Sequence, residues 1–251
     1  MRVREIWRHP VKSMQGESLT AARIETDGVE GDRVWAIRDT ATMKVLTARR
    51  ERRLLSAAAR LDSAGEPGLR LPDGSEVRGT GPETDAALSS WLGRPVALVD
   101  PKQETPAVGE FFDDPTDESS AVIEWTMLSG RFVDAYPLHV LTTASLRAGA
   151  AAFPSGTWDV RRFRPNLVVE VDGEGWVEDQ WCGRTLRVGE ARLMVTEACA
   201  RCTMVTRAQP GLDSDVDMYR TVARHHAGTF GVWASVDTPG LIQVGDVLDL
   251  G

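Results

Sequence analysis

Short β-prone runs, broken every few residues by glycine, proline or an acidic turn residue, restrict this chain more than any other feature. Val3–Trp7, Leu19–Thr26 and Arg33–Arg38 are rich in β-branched or aromatic residues, with Gly16, Gly28 and Gly31 between them. Gly68 to Val77 contains Asp73-Gly74, a pair that supplies the positive φ angles of a tight hairpin turn. Further strands are predicted at 166–171, 185–188, 191–195, 203–207, 230–236 and 241–250, with Gly189-Glu190 turning the second into the third. Helical spacing is confined to Glu83–Leu92, Thr142–Phe153 and Asp215–His226. The expected fold is therefore mainly β with a few short helices, packed as two β-barrel-like domains rather than as a doubly wound sheet. Pro101–Ser119, acidic and rich in Pro and Asp, reads as a connector, which divides the chain into 1–110 and 111–251.

Charge is uneven along the chain. The net charge is −8, which argues against a general nucleic-acid binder. Residues 1–53 nevertheless carry 12 Lys/Arg against 8 Asp/Glu, among them Lys12, Arg33, Arg49, Arg50, Arg52 and Arg53. This is either a solvated basic face or a surface for a phosphate or another small anion. No run approaches the roughly 20 apolar residues of a membrane span, and no secretory h-region follows Met1. Three cysteines cannot all pair, so the expected compartment is the reducing cytoplasm.

Two of those cysteines fall in Glu197-Ala-Cys199-Ala-Arg201-Cys202-Thr203. A structural zinc site would need a second Cys or His pair, and none stands at metal spacing. A thioredoxin-like dithiol should open a helix, whereas Thr203-Met-Val-Thr206 prefers strand. Iron–sulfur ligation usually takes four thiolates. Two buried, inert cysteines remain as good a reading on spacing alone. A thiolate beside an arginine also suits a metal carried on an anionic organic group better than a bare ion. Two other segments offer polar chemistry. Arg161-Arg162-Phe163-Arg164-Pro165-Asn166 places forked donors ahead of an apolar strand. His9-Pro-Val-Lys12-Ser13-Met-Gln-Gly16 lacks the glycine array of a Walker loop, yet Lys12 and Ser13 could grip a phosphate where Gly16 admits close backbone approach.

Taken in order, His-Pro-Val-Lys-Ser with Gly31-Asp-Arg33, then Phe-Arg-Pro-Asn, then Cys-Ala-Arg-Cys, then Phe230-Gly231 and Val244-Gly-Asp246 resemble the MOSC family. The likeness covers nearly the whole chain, as an N-terminal MOSC β-barrel domain followed by the MOSC domain. The subgroup it is most similar to holds the mitochondrial amidoxime-reducing component and its bacterial relatives. The resemblance implies a molybdenum cofactor (Mo-molybdopterin) with Cys202 as the protein's metal ligand and Cys199 as a neighbour. It also implies cofactor contacts from Lys12, Ser13, Arg33, Arg164, Asn166 and Arg201, with a further lining stretch at Ala135-Tyr136-Pro137. The implied reaction is reduction of N-hydroxylated compounds such as amidoximes and hydroxylamines. Glu178 and Asp179 are candidate proton donors, with Asp179 taken beside Cys202 as catalytic. Three cysteines leave no room for an internal cluster, so the electron donor is expected to be a separate ferredoxin or flavin reductase. A non-catalytic carrier of cofactor or sulfur on Cys202 is the alternative. Arg207-Ala-Gln-Pro210-Gly-Leu-Asp213 departs from the subgroup's Asp-Pro pattern, which bears on substrate identity.

Overall fold

A computed structural model describes residues 1–100, 107–114, 117, 119–127 and 130–251. Strand accounts for 39% of the chain against 20% for helix, so the mainly β expectation holds. The largest sheet has eight strands in the order Leu248–Leu250, Thr185–Val188, Ala191–Ala200, Thr229–Thr238, Leu138–Thr142, Leu167–Glu170, Arg2–Arg8, Glu17–Leu19. All neighbours run antiparallel except Leu138–Thr142 and Leu167–Glu170, which pair in parallel across the helix Thr143–Ala152. The N-terminal strand thus completes a sheet built mostly by the second half. A smaller sheet repeats this interleaving, since Ala21–Glu25 pairs with Gly240–Gln243. No sheet closes into a barrel among the described residues. Both edge strands of the large sheet are only three residues long, which blunts the edges without joining them.

Local chemistry accounts for most elements. The helix preceding the connector, Pro82–Leu92, opens with Pro at its first turn and ends on Gly93 in the left-handed region. Thr142 caps the helix Thr143–Ala152 by accepting from the Ser145 amide at 3.1 Å. Asp215 likewise caps Val216–His226, accepting from the Asp217 amide at 3.0 Å. Gly16 is required by space: a Cβ there would lie 2.2 Å from the Arg8 carbonyl oxygen.

Two expectations are corrected. Thr203–Thr206 is a single 3-10 turn and not a strand. The Thr206 hydroxyl donates to the Thr203 carbonyl at 2.7 Å, and buried Val205 packs with Phe163 and Phe230, so local bonds and burial override β propensity. The second correction lies inside the supposed connector. Val108–Phe112 is a strand paired with Val122–Thr126, while residues 101–106, 115, 116 and 118 of that stretch lie outside the described residues.

Candidate functional site

A cavity of about 600 Å³ gathers segments far apart in the sequence. Its first wall begins where the N-terminal strand leaves the sheet. His9 donates its amide to Asp32 at 2.7 Å, Arg33 donates to the His9 carbonyl at 2.8 Å, and Lys12 donates to the Trp35 carbonyl at 2.8 Å. These bonds lay residues 9–13 along 32–35. Lys12 then extends its Nζ to the Phe132 carbonyl at 2.9 Å and to the Asp134 carboxylate at 2.5 Å. The Ser13 hydroxyl oxygen accepts from the Ala48 amide at 2.9 Å.

The second wall comes from Phe163 and Arg164. Buried Arg164 donates to the Met14 carbonyl, and burial together with the neighbouring Arg33 charge draws its pKa down to about 9. Arg161 and Arg162 do not reach the cavity. Arg161 pairs with Asp159, and Arg162 spends its donors on the Thr157, Val205 and Asp213 carbonyls. Five non-glycine residues in the described chain have positive φ, and three of them (Ser13, Arg33 and Arg164) line this cavity. Such backbone costs of order 1–3 kcal/mol per residue and collects at functional sites.

The third wall is the end of the Ala191–Ala200 strand. Arg201 donates to the Cys199 sulfur at 2.9 Å and to the Phe163 carbonyl at 2.8 Å. Burial pushes the Cys199 thiol up to about 11, so it stays protonated. Cys202, half-buried and unpaired, lies in the lining. Arg49 reaches the same place, facing Cys202 while it donates to Asp134 at 2.6 Å. The Arg201 Nε and the His139 Nδ1 are buried without a hydrogen-bond partner. His139 is held uncharged at neutral pH by burial, with the Arg201 charge beside it. Five cations (Lys12, Arg33, Arg49, Arg164, Arg201) thus face two carboxylates, Asp113 and Asp134, in an acidic protein. Burial opposes ionisation of Asp134, but Lys12 and Arg49 outweigh it and hold its carboxyl well below the usual range.

A sequence profile described as the MOSC N-terminal beta barrel domain matches residues 1–114, and one described as the MOSC domain matches 128–249. The chain is a MOSC-domain protein. It is 25% identical to mitochondrial amidoxime-reducing component 1 of Mus musculus, an alignment that takes in 97% of this chain and 80% of the mouse protein. The fold is similar to that of the YuaD protein from Bacillus subtilis, with a TM-score of 0.51, 12% identity, and coverage of 99% and 94% of the two chains. Membership of this family associates the protein with the molybdenum cofactor.

The structure brings Lys12, Ser13, Arg33, Tyr136, Arg164, Arg201 and Cys202 of this MOSC protein to the cavity together. Ala135 joins them, whereas Pro137 does not. Asn166 lies behind the wall: its Oδ1 accepts from the His139 amide at 3.1 Å and from Arg33 at 3.4 Å, so it steadies Arg33. Asp179, expected beside Cys202, is not among the lining residues: it is bonded to His226 at 2.6 Å in the Val177–Trp181 turn. Glu178 is likewise buried elsewhere, beneath the Thr142 hydroxyl at 2.6 Å. Sequence reasoning missed the roles of Asp134, His139 and the aromatic residues of the Val108–Phe112 hairpin, and it left Arg49 in a generic basic run. Asp134 directly precedes the lining pair Ala135-Tyr136, which was the available signal.

The donor set is selective about what it can hold. No group of three or more His, Cys, Asp or Glu side chains is placed to bind an ion among the described residues. A bare metal is therefore poorly served. A metal that brings its own organic ligands and anionic tail meets one thiol, five cations and an unpartnered buried donor, Arg201 Nε, and these residues fit such a group.

Proposed function

We propose that this cavity binds the molybdenum cofactor and that the protein reduces N-hydroxylated compounds with electrons from a separate donor protein. The observation that carries the reading is the half-buried thiol of Cys202, set in a cavity with a surplus of cations and, among the described residues, no competing metal-ligand cluster. Similarity to an amidoxime-reducing component supports the choice of reaction. Cys202 would complete the metal's coordination. Arg33, Arg164 and Arg201 would take the phosphate and polar edges of the pterin, with Lys12 and Ser13 beside them and Tyr136 along the rim. Bound molybdenum supplies a two-electron centre able to accept oxygen. Overall the N–O bond breaks, two electrons and two protons enter, and water leaves with the reduced nitrogen compound, an amidine from an amidoxime or an amine from a hydroxylamine. The protein's own part is to orient the cofactor by its fixed guanidinium groups and to keep Cys202 at the cavity wall. The electron donor in this reading is a separate protein, a ferredoxin or flavin reductase, and no helix among the described residues is long and apolar enough to cross a membrane.

Protein made in a cofactor-competent host should contain molybdenum and pterin at near one-to-one stoichiometry. Cys202→Ser should lose the metal, and Cys199→Ser should keep it. Turnover of a simple amidoxime with an artificial reductant then separates a reductase from a carrier, which would bind cofactor without reducing anything. Protein free of both molybdenum and pterin overturns the reading.

A further inference from the structure

The hairpin hidden in the acidic stretch puts aromatic surface into the cavity that the cofactor reading leaves unused. Its strands, Val108–Phe112 and Val122–Thr126, oppose Gly109 to Trp125 and Phe111 to Ile123. Gly109 lets the indole lie across the hairpin, since a Cβ there would come within 2.6 Å of the Trp125 ring. Phe111 meets that ring edge-on at 5.5 Å. Phe111, Phe112 and Trp125 all line the cavity and are all half-buried. Trp125 packs partly on a hydrophobic core, whereas Phe111 and Phe112 lie outside every apolar cluster of the described residues, Phe111 against Trp125 and Arg49 and Phe112 beneath Arg50.

The wall is also held in place. Val45 donates to the Val108 carbonyl at 2.8 Å and the Thr47 hydroxyl to the Glu110 carbonyl at 3.1 Å. Lys44 bonds Glu110 and also Glu124, the latter at 2.5 Å. Arg49 stacks over Trp125 at 5.0 Å and over Phe111 at 5.9 Å. Aromatic faces that are held in place, partly exposed and set in the same cavity as the Cys202 thiol are suited to stacking a flat conjugated group.

We propose that this hairpin is the specificity-determining element of the site, and that Phe111 and Trp125 select N-hydroxylated substrates bearing a flat aryl group over aliphatic ones of the same size. The inference rests on the reductase reading for its reaction but not for its ligand geometry. In cofactor-loaded protein, Trp125→Ala and Phe111→Ala should each raise KM for an aryl amidoxime about tenfold. Both kcat and the KM of a size-matched alkyl amidoxime should change less than about twofold, and Trp125→Phe should restore most of the preference. Calorimetric titration with benzamide against cyclohexanecarboxamide reads the same preference without turnover. Preferential benzamide binding that the alanine variants abolish supports the wall even if amidoximes are never reduced, in which case only the reductase reading fails. Equal effects on aryl and alkyl compounds overturn the inference. So does loss of bound pterin from Trp125→Ala, which would assign the ring to the cofactor.

Discussion

Arg201 donates from Nη1 to the Cys199 sulfur at 2.9 Å, so the cysteine that does not line the cavity aims the arginine that does. Cys199→Ala should lower unfolding free energy by about 1–2 kcal/mol through a lost contact and a small cavity. Cys199→Ser should cost less, because a hydroxyl still accepts from Arg201. Urea titrations measure both. In native protein, iodoacetamide should modify Cys182 and Cys202 and spare Cys199 until the chain unfolds, as peptide mass spectrometry would show.

Asp134 neutralises two cations at once. Asp134→Asn should remove about 1–2 kcal/mol of stability, less than a fully buried pair because the carboxylate side chain remains 35% exposed. An unfolding midpoint unchanged from the parent protein would show that Lys12 and Arg49 hold their places without it.

Arg131 ties down the loop that delivers Arg33. It is almost fully buried and bonds the Val29 and Asp32 carbonyls as well as Glu25 and Asp27, the last two at 2.7 Å. Arg131→Met should cost about 3 kcal/mol, since it leaves several acceptors unsatisfied. Arg131→Lys should fall between the two, which denaturant midpoints would resolve.

Glu178 gives a pH signature. Burial raises its pKa above the ordinary 4.5 despite the hydroxyl hydrogen bonds from Thr142 and Ser145. The folded state therefore holds this proton more tightly than the unfolded chain does. The resulting stability is fully present below pH 4.5 and is lost as pH rises through the elevated folded value. Glu178→Gln cannot ionise, so its stability relative to the parent should increase as pH climbs out of the acid range. Thermal melts of both proteins across pH 4 to 8 would measure it, and parallel curves would exclude it.

Elements encoded by local pattern were legible in the sequence. Thr185–Val188 and its turn at Gly189 follow strict alternation, and Asp215 announces the helix it caps. Long-range choices were not. Nothing near Arg2 specifies Glu170 as its partner, and nothing near Lys12 specifies Asp134. The hairpin at Val108–Phe112 was masked by the prolines and acidic residues around it, and the Thr203–Thr206 turn by its own β-branched residues. Asn166 and Asp179 show the same limit within the site. A side chain's type indicates what it can bind, whereas the cavity it faces is decided by tertiary packing.

The placement of Arg2–Arg8 between Leu167–Glu170 and Glu17–Leu19 governs when the protein becomes competent. On the ribosome, the first strand waits for a partner made roughly 160 residues later, a loop closure that is slow because its entropy must be lost before the pairing is gained. Lys12, Ser13 and Arg33 hang from that strand's end, while Arg201 and Cys202 arrive later still. The cavity is assembled only after synthesis passes its last wall, so any ligand that needs all of its walls would meet them together only late in synthesis.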